Sequence, residues 1–418
     1  MLMSIRTIIK VTPEQESLLS FMCLAASKLW NICNYERRHW EELGLEEYPN
    51  WYVQKKNHKT DDWYRMLPSQ TAQETCKQLD KSWKSFFVLQ KTKGVENPRP
   101  PRYKKDPVCI TYMQNGIRHE KESSGIRLTL SGNLKAHMSS ACDIHVQFLS
   151  LENKIFRRME VIKQIKLYPP RRGECETIVI YEIPDPELLP DNGRYLSVDL
   201  GLHNLMTCYP NTGAPSFIVG RKYLSICSKY NKETARVQAQ WSGYQSRKGI
   251  QHPKSSRHIR NLYRKRTDTI RDYLHKCTRA VVKYCEENDI HTVVIGDWRN
   301  IRKNANLGSI TNQKLHALPF RQMYQLLEYK LLLSGIRLVK HSEAYSSQCG
   351  PDTPAVAEQY ADKRNRVKRG LFVSCEVSYN ADALGAYNIL RKYASDTGIN
   401  LETPIQGIMT TTMLKVAV

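Results

Sequence analysis

The sequence predicts an α/β C-terminal domain behind a β-rich N-terminal domain with helices inserted into it. Three observations predict it. Short apolar runs follow one another at hairpin spacing from about residue 194, then alternate with long helical patterns. The stretch from about 108 to 190 alternates with period two and is punctuated by turn residues. Between the first strand and that stretch lie two long helical patterns.

In order, SIRTIIKV (4–11) reads as a strand. Pro13 and Glu14 open the helical pattern EQESLLSFMCLAASKLWNICNYERRHW. A second helical region runs from about Trp51 to Val88, with Ser69 as N-cap of its last part. KTKGVENPRPPRYKKD is a basic, Pro-rich breaker. Short β-rich runs such as TIVIYEI follow, separated by turns at SGN and YPPRRGE, and suit a small β-barrel that the first strand joins. RYLSVDLG, NLMTCY and PSFIVG are then three hairpin-spaced strands, followed by a long basic helical section at about 220–288. HTVVIGDW is the next strand, HALPFRQMYQLLEYKLLLSG a helix closed by Gly335, IRLVKHSEAY a strand and NADALGAYNILRKY a final helix. This order fits an RNase H-like sheet in which the fourth strand lies between the first and the fifth, with function at the strand ends.

Composition narrows the partner. Among 418 residues Lys and Arg outnumber Asp and Glu by 63 to 41, a net charge of +22 that favours a polyanion. Twelve scattered cysteines with no C-x-x-C point to free thiols in a reducing compartment, and no run is apolar enough to span a bilayer. A cytoplasmic protein is expected, nucleoid-associated in a prokaryote, with no secretion or membrane signal.

Three acids come to the same sheet edge: Asp199 ends the first strand, Glu343 the fifth, and Asp382 begins the last helix. Each alone also suits a turn, a rim or a helix cap. Together they are what two Mg²⁺ ions need, since ions roughly 3.5–4 Å apart activate water and stabilise the leaving oxygen at a phosphodiester. In VVIGDWRN, alternation places Gly296 and Asp297 on opposite faces unless the strand has already ended. Asp297 then reads as a turn residue, and Gly296 as room for Glu343 arriving from the neighbouring strand.

SVDLGLHNLMT, RDYLHKCTRAVVKYCEENDIHTVVIGDW, EAYSSQC, KRGLF and NADALGAYNILRKY resemble, in order, the RuvC domain of transposon-encoded TnpB proteins, relatives of type V CRISPR effectors and Fanzor. QLDKSWKSFF and RPPRYKK are similar to the family's last recognition helix and its basic segment. The resemblance implies a wedge β-barrel at 1–11 and 95–190, a helical recognition domain at 12–94, and a RuvC nuclease domain at 191–418 with a degenerate zinc-finger-like insertion at 345–380. It implies an RNA-guided DNA endonuclease. A guide RNA would pair with double-stranded target DNA beside a short flanking motif, and Asp199, Glu343 and Asp382 would be both catalytic residues and Mg²⁺ ligands. A monomer on its RNA is the expected assembly. The alternatives are an RNA-guided repressor that no longer cuts, which Gly296 alone would suggest, and a transposase.

Most relatives carry Glu where Gly296 stands. The sequence resembles the subset with the glutamate moved downstream, here Glu343 in E-A-Y-S-S. Cys349 and Cys375 stand alone, so no zinc is expected. The loop NRVKRGLF is expected to act as a basic flap over nucleic acid. Lys254, Arg257, Arg260, Arg264, Lys265 and Arg266 are candidates for backbone phosphate, and Arg99, Arg102, Lys104 and Lys105 for guide-RNA backbone. Gln70, Thr71, Gln73 and Lys77 are exposed polar candidates for reading the flanking motif. Tyr52 could stack on a base, whereas Trp51 better suits the core.

Overall fold

A computed structural model describes residues 1–92, 95–252, 254–298, 312, 318–368 and 370–417. The chain divides into two compact units, Met1–Asp185 and Pro186–Val418.

The first unit opens with β1 (Leu2–Lys10) and α1 (Pro13–Arg38). Thr12 caps α1 through a reciprocal capping box with Gln15, and Pro13 supplies a φ already suited to the first turn. The second helical region is broken into α2 (Trp51–Asn57), α3 (Asp62–Arg65) and α4 (Ser69–Thr92). Pro68 precedes α4, and Ser69 is its first helical residue, where its hydroxyl accepts from Gln73 Nε2 at 3.1 Å. The β-rich stretch contains β2 (Ile110–Met113), β3 (Ile117–Glu120), β4 (Gly125–Thr129), α5 (Gly132–Cys142), β5 (Phe148–Glu152), β6 (Val161–Leu167) and β7 (Glu174–Glu182).

Two differences from the sequence-based expectation stand out here. The β-barrel is found as two antiparallel sheets, β1-β7-β6-β2 and β3-β4-β5, with no ladder joining them among the described residues. The expected turn at SGN starts α5 instead. Ser131 caps it by accepting from Leu134 N at 3.2 Å, and Leu134 and Met138 share its buried face.

The second unit is built on β8 (Tyr195–Asp199), β9 (Met206–Pro210), β10 (Ser216–Val219), α6 (Tyr223–Arg247), α7 (Arg257–Glu287) and β11 (Thr292–Gly296). Then come α8 (Phe320–Leu333), β12 (Arg337–His341), the hairpin β13 (Leu371–Ser374) and β14 (Val377–Asn380), α9 (Ala381–Thr397), α10 (Gln406–Met409) and β15 (Thr411–Met413). The sheet runs β12-β11-β8-β9-β10-β15, so β11 lies between β8 and β12 as expected, parallel to both. The polar helical section is two helices, α6 and α7, rather than one. The C-terminal tail adds a sixth strand, β15, parallel to β10. Three residues leave too little periodicity to read as a strand.

Alternation along the strands sorts the two faces. Leu196, Val198, Val293 and Ile295 enter the core with α7 and α8. Tyr195 and Val294 enter the core with α9. Ser197 is buried on that α9 face and donates to Ala386 O at 2.6 Å, fixing helix to strand. By the same parity Asp199 and Gly296 face α9.

Asn388, fully buried on α9, donates to Ser346 O and Cys349 O, both at 2.8 Å. It ties down the loop that leaves β12. Asn388→Ala leaves two buried carbonyls without that donor. It is expected to cost about 1–3 kcal/mol in urea unfolding of the full chain, with a cooperative transition retained.

Candidate active site

The site sits at the ends of three parallel strands, where register decides proximity. Ile295 pairs with Val198, so Gly296 comes beside Asp199, the last residue of β8. Gly296 pairs with His341, the last residue of β12. Glu343 follows two residues later, past the end of the strand. A Cβ placed on Gly296 would lie 2.6 Å from Glu343 Oε2 and 3.1 Å from Ile389 Cδ1. The space above Gly296 is therefore taken by the Glu343 carboxylate.

Asp199 has a matching cradle on the helix side. A Cβ on Gly385 would lie 2.8 Å from Asp199 Oδ2. Sequence reasoning missed Gly385. Its only signal was a glycine inside a helical pattern, where it costs about 1 kcal/mol against alanine and asks for a packing reason. Asp382 is in the first turn of α9, capped by Asn380 Oδ1. Its carboxylate accepts from Asn204 Nδ2 at 2.8 Å and lies 3.6 Å from the Arg366 guanidinium. Asn204, too, went unnoticed in the sequence.

The electrostatics are those of crowded acids. Burial raises Asp199 to about 7, helped by the Asp382 charge and opposed by Arg366. Burial likewise raises Glu343 to about 8, helped by Asp199 and then Asp297. Glu343 Oε2 is buried and meets no hydrogen-bond donor among the described residues. Among those residues no three His, Cys, Asp or Glu groups form a ready-made metal cage. Asp382 is drawn to Asn204 and Arg366 instead. Even so, an orphaned buried oxygen and two carboxyls raised by burial and by neighbouring charge are a donor set that a hard divalent cation satisfies.

Alternation ends before Asp297. The strand ends at Gly296, and the Asp297 amide donates to His341 O at 2.7 Å. Trp298 packs toward Phe320 at 6.2 Å, on the α8 side, although parity with Gly296 would send it to the α9 side. Asp297 stays near enough for its charge to raise Glu343. In the 345–380 segment, Cys349 is buried and donates to Ala357 O at 3.4 Å, while Cys375 is exposed in the β13–β14 turn at φ 46°. Of the loop NRVKRGLF, Arg366 reaches Asp382 and Arg369 lies outside the described residues.

The other candidates divide. Lys254, Arg257, Arg260, Arg264 and Lys265 are exposed, whereas Arg266 is drawn onto α6, donating to Cys227 Sγ at 3.9 Å. Arg99, Arg102 and Lys105 are exposed, and Lys104 is half-buried over the Trp30 ring at 4.4 Å. The exposed set at the start of α4 needs correcting. Thr71 is buried at 1 % exposure, because position 71 falls on the stripe that continues through Ala72, Thr75, Cys76 and Leu79. Gln70 and Gln73 are half-buried, and Lys77 pairs with Glu74 at 3.2 Å and lies over Trp51. Trp51 packs against the core and Tyr52 is 60 % exposed.

The chain is similar to several known proteins. The family model OrfB_IS605, "Probable transposase", matches residues 178–302, and the model "Cas12f1-like, TNB domain" matches 320–389. The chain is 25% identical over 365 residues to "Putative RNA-guided DNA endonuclease InsQ" of Escherichia coli (strain K12), covering 82% of this chain and 78% of that one. The cryo-EM structure of a Cas12f1–sgRNA–target DNA complex superposes with a TM-score of 0.52 at 13% identity, over 90% of this chain and 81% of that one. The fold is thus RuvC-like. Within that class the chain is similar to TnpB-type proteins and to a putative RNA-guided DNA endonuclease. No helix among the described residues is long and apolar enough to cross a membrane.

Two tests follow from the site itself. The folded-state values of Asp199 and Glu343 lie above their ordinary ones, so the native state holds protons that the unfolded chain releases. Stability is then lost as pH rises from about 4 toward about 8. In EDTA, Glu343→Gln is expected to melt several degrees above the parent at pH 8 and close to it at pH 5. The opposite order would refute the buried-charge account. Gly385→Ala is expected to melt within a few degrees of the parent while the cleavage proposed below falls at least about tenfold, because the new Cβ displaces a carboxylate and not the helix. Full cleavage would show that Asp199 does not need the cradle.

Proposed function

We propose that the chain is an RNA-guided DNA endonuclease that hydrolyses phosphodiesters at Asp199, Glu343 and Asp382. The observation that carries this is the Glu343 carboxylate occupying the space above Gly296. An acid is supplied at the β11 end although β11 has no acid of its own there. The same observation weighs against the non-cutting repressor, which Gly296 alone would suggest.

The three carboxylates would hold two Mg²⁺ ions, which supply charge for an attacking water and for the leaving oxygen at the scissile phosphate. The chain's own residues set the stage. Gly296 and Gly385 leave room for the Glu343 and Asp199 carboxylates. Asn204 orients Asp382 by donating a hydrogen bond to its carboxylate, and Arg366 places a positive charge beside it. Burial, then Asp199 and Asp297, raise Glu343, so a cation binding there would compete with a proton.

On this reading a guide RNA pairs with double-stranded target DNA next to a flanking motif, and base pairing reads sequence. The exposed cations on α7 and in the 99–105 segment would meet backbone phosphate. The first unit would serve as wedge and recognition domains, and the second as the nuclease domain.

Cleavage of a cognate target with guide RNA and Mg²⁺ tests the assignment. Glu343→Ala should lose at least about a thousandfold in rate while target binding persists. Asp297→Asn should keep most of the rate and shift the pH–rate profile toward lower pH, since it removes a charge that raises Glu343. Full cutting by Glu343→Ala would remove Glu343 from the site. Loss in Asp297→Asn as deep as in Glu343→Ala would make Asp297 the acid of β11.

A further inference from the structure

The first unit carries a groove whose aromatic floor has no role above, although its basic wall lies in the 99–105 segment. Two hollows of about 360 and 580 Å³ lie side by side and share Phe86. Both volumes are of the order found in ligand sites, roughly 300–1,000 Å³. One wall is the 99–104 segment, and the floor is aromatic.

The floor is held in place. Trp83 is 6 % exposed and donates from Nε1 to Asn34 Oδ1 at 2.9 Å. Around it, Tyr48 and Phe87 lie 5.9 and 5.6 Å away between ring centroids, and Trp40 stands 6.1 Å from Tyr48. Phe87 nevertheless remains 42 % exposed, and Val88 after it 58 %. Rigid rings with an open face are what successive bases stack on.

The wall is also fixed, by contacts that use its backbone. Asn34 Nδ2 donates to Pro101 O at 3.0 Å, Arg38 to the same carbonyl at 2.6 Å, and Trp30 Nε1 to Arg102 O at 3.2 Å. Asn31 pairs with both the amide and the carbonyl of Lys104. The carbonyls are spent on α1, and Arg99 and Arg102 keep exposed side chains. Arg38 Nε, in the lining of the larger hollow, is buried with no hydrogen-bond partner among the described residues.

We infer that this groove binds single-stranded nucleic acid, with an unstacked base against Phe87 and Trp40 and the backbone phosphates along Arg99 and Arg102. A protein partner would suit an apolar face, but here the rim is cationic on a chain of net charge +22, and that complements a polyanion. The inference rests on the proposed function in one respect, that the ligand is nucleic acid.

The test uses the full-length chain and short single-stranded RNA and DNA oligonucleotides carrying 2-aminopurine, with matched abasic versions. The parent is expected to change the 2-aminopurine fluorescence on binding. Trp40→Ala/Phe87→Ala should weaken binding of the base-bearing strand about tenfold or more and abolish that change, leaving the abasic strand unaffected. Phe87→Tyr should restore stacking, which a folding defect would not allow. Tighter binding of RNA or of DNA would support the site and say which strand enters it. Parent binding with unchanged affinity in the double variant overturns this inference and leaves the proposed function standing. Equal loss for base-bearing and abasic strands, or a changed oligomeric mass without a change in affinity, also overturns it. A parent that binds no oligonucleotide refutes the nucleic-acid reading on which both rest.

Discussion

The parallel register of β11 between β8 and β12 is the constraint on which the site depends. It sets Gly296 opposite His341 and beside Asp199. A shift by one residue would turn every side chain of β11 to the other face, taking Val294 out of the α9 core and Gly296 away from Glu343. The register is secured because both faces of β11 are buried, Val293 and Ile295 against one helical layer and Val294 against the other. Core packing that has nothing to do with chemistry thus fixes where the carboxylates meet.

The cost of the arrangement is electrostatic. Asp199 and Glu343 are raised chiefly by burial and then by neighbouring acids, with Arg366 the cation that offsets part of it at Asp199. Groups raised in this way weaken the native state near neutral pH unless a cation compensates. The surrounding structure carries that cost through contacts away from the acids. Ser197 ties β8 to α9, and Asn388 with Arg391 holds the loop beyond Glu343, Arg391 bonding the Gly350 and Thr353 carbonyls. Two glycines contribute by absence of a side chain. At Gly296 and Gly385 alike, the room a Cβ would fill is taken by a carboxylate.

Much of this was legible from residues alone. The order of strands and helices in the second unit, and the place of β11 within it, follow from apolar runs and their spacing. Gly296 as space for Glu343 followed from strand parity, because parity is a local property. Asp297 reads as a turn residue, and the strand does stop at Gly296, so parity ends before it. Arg266 and Thr71 were grouped with exposed neighbours, since a run of polar letters does not say which of them faces a second helix. β15 was invisible because three residues gain strand character only from the partner they pair with.

By itself the sequence determined the order of the second unit's strands up to β12 and of its long helices, the basic balance and the three acids, since these rest on side-chain chemistry and short-range periodicity. Only the tertiary structure decided which atoms share space. It brought Gly385 under Asp199, Asn204 and Arg366 to Asp382, and the 99–104 segment to the aromatic end of α1 and α4. Those meetings join residues 16 to 186 positions apart. They depend on packing between elements, which no local pattern encodes.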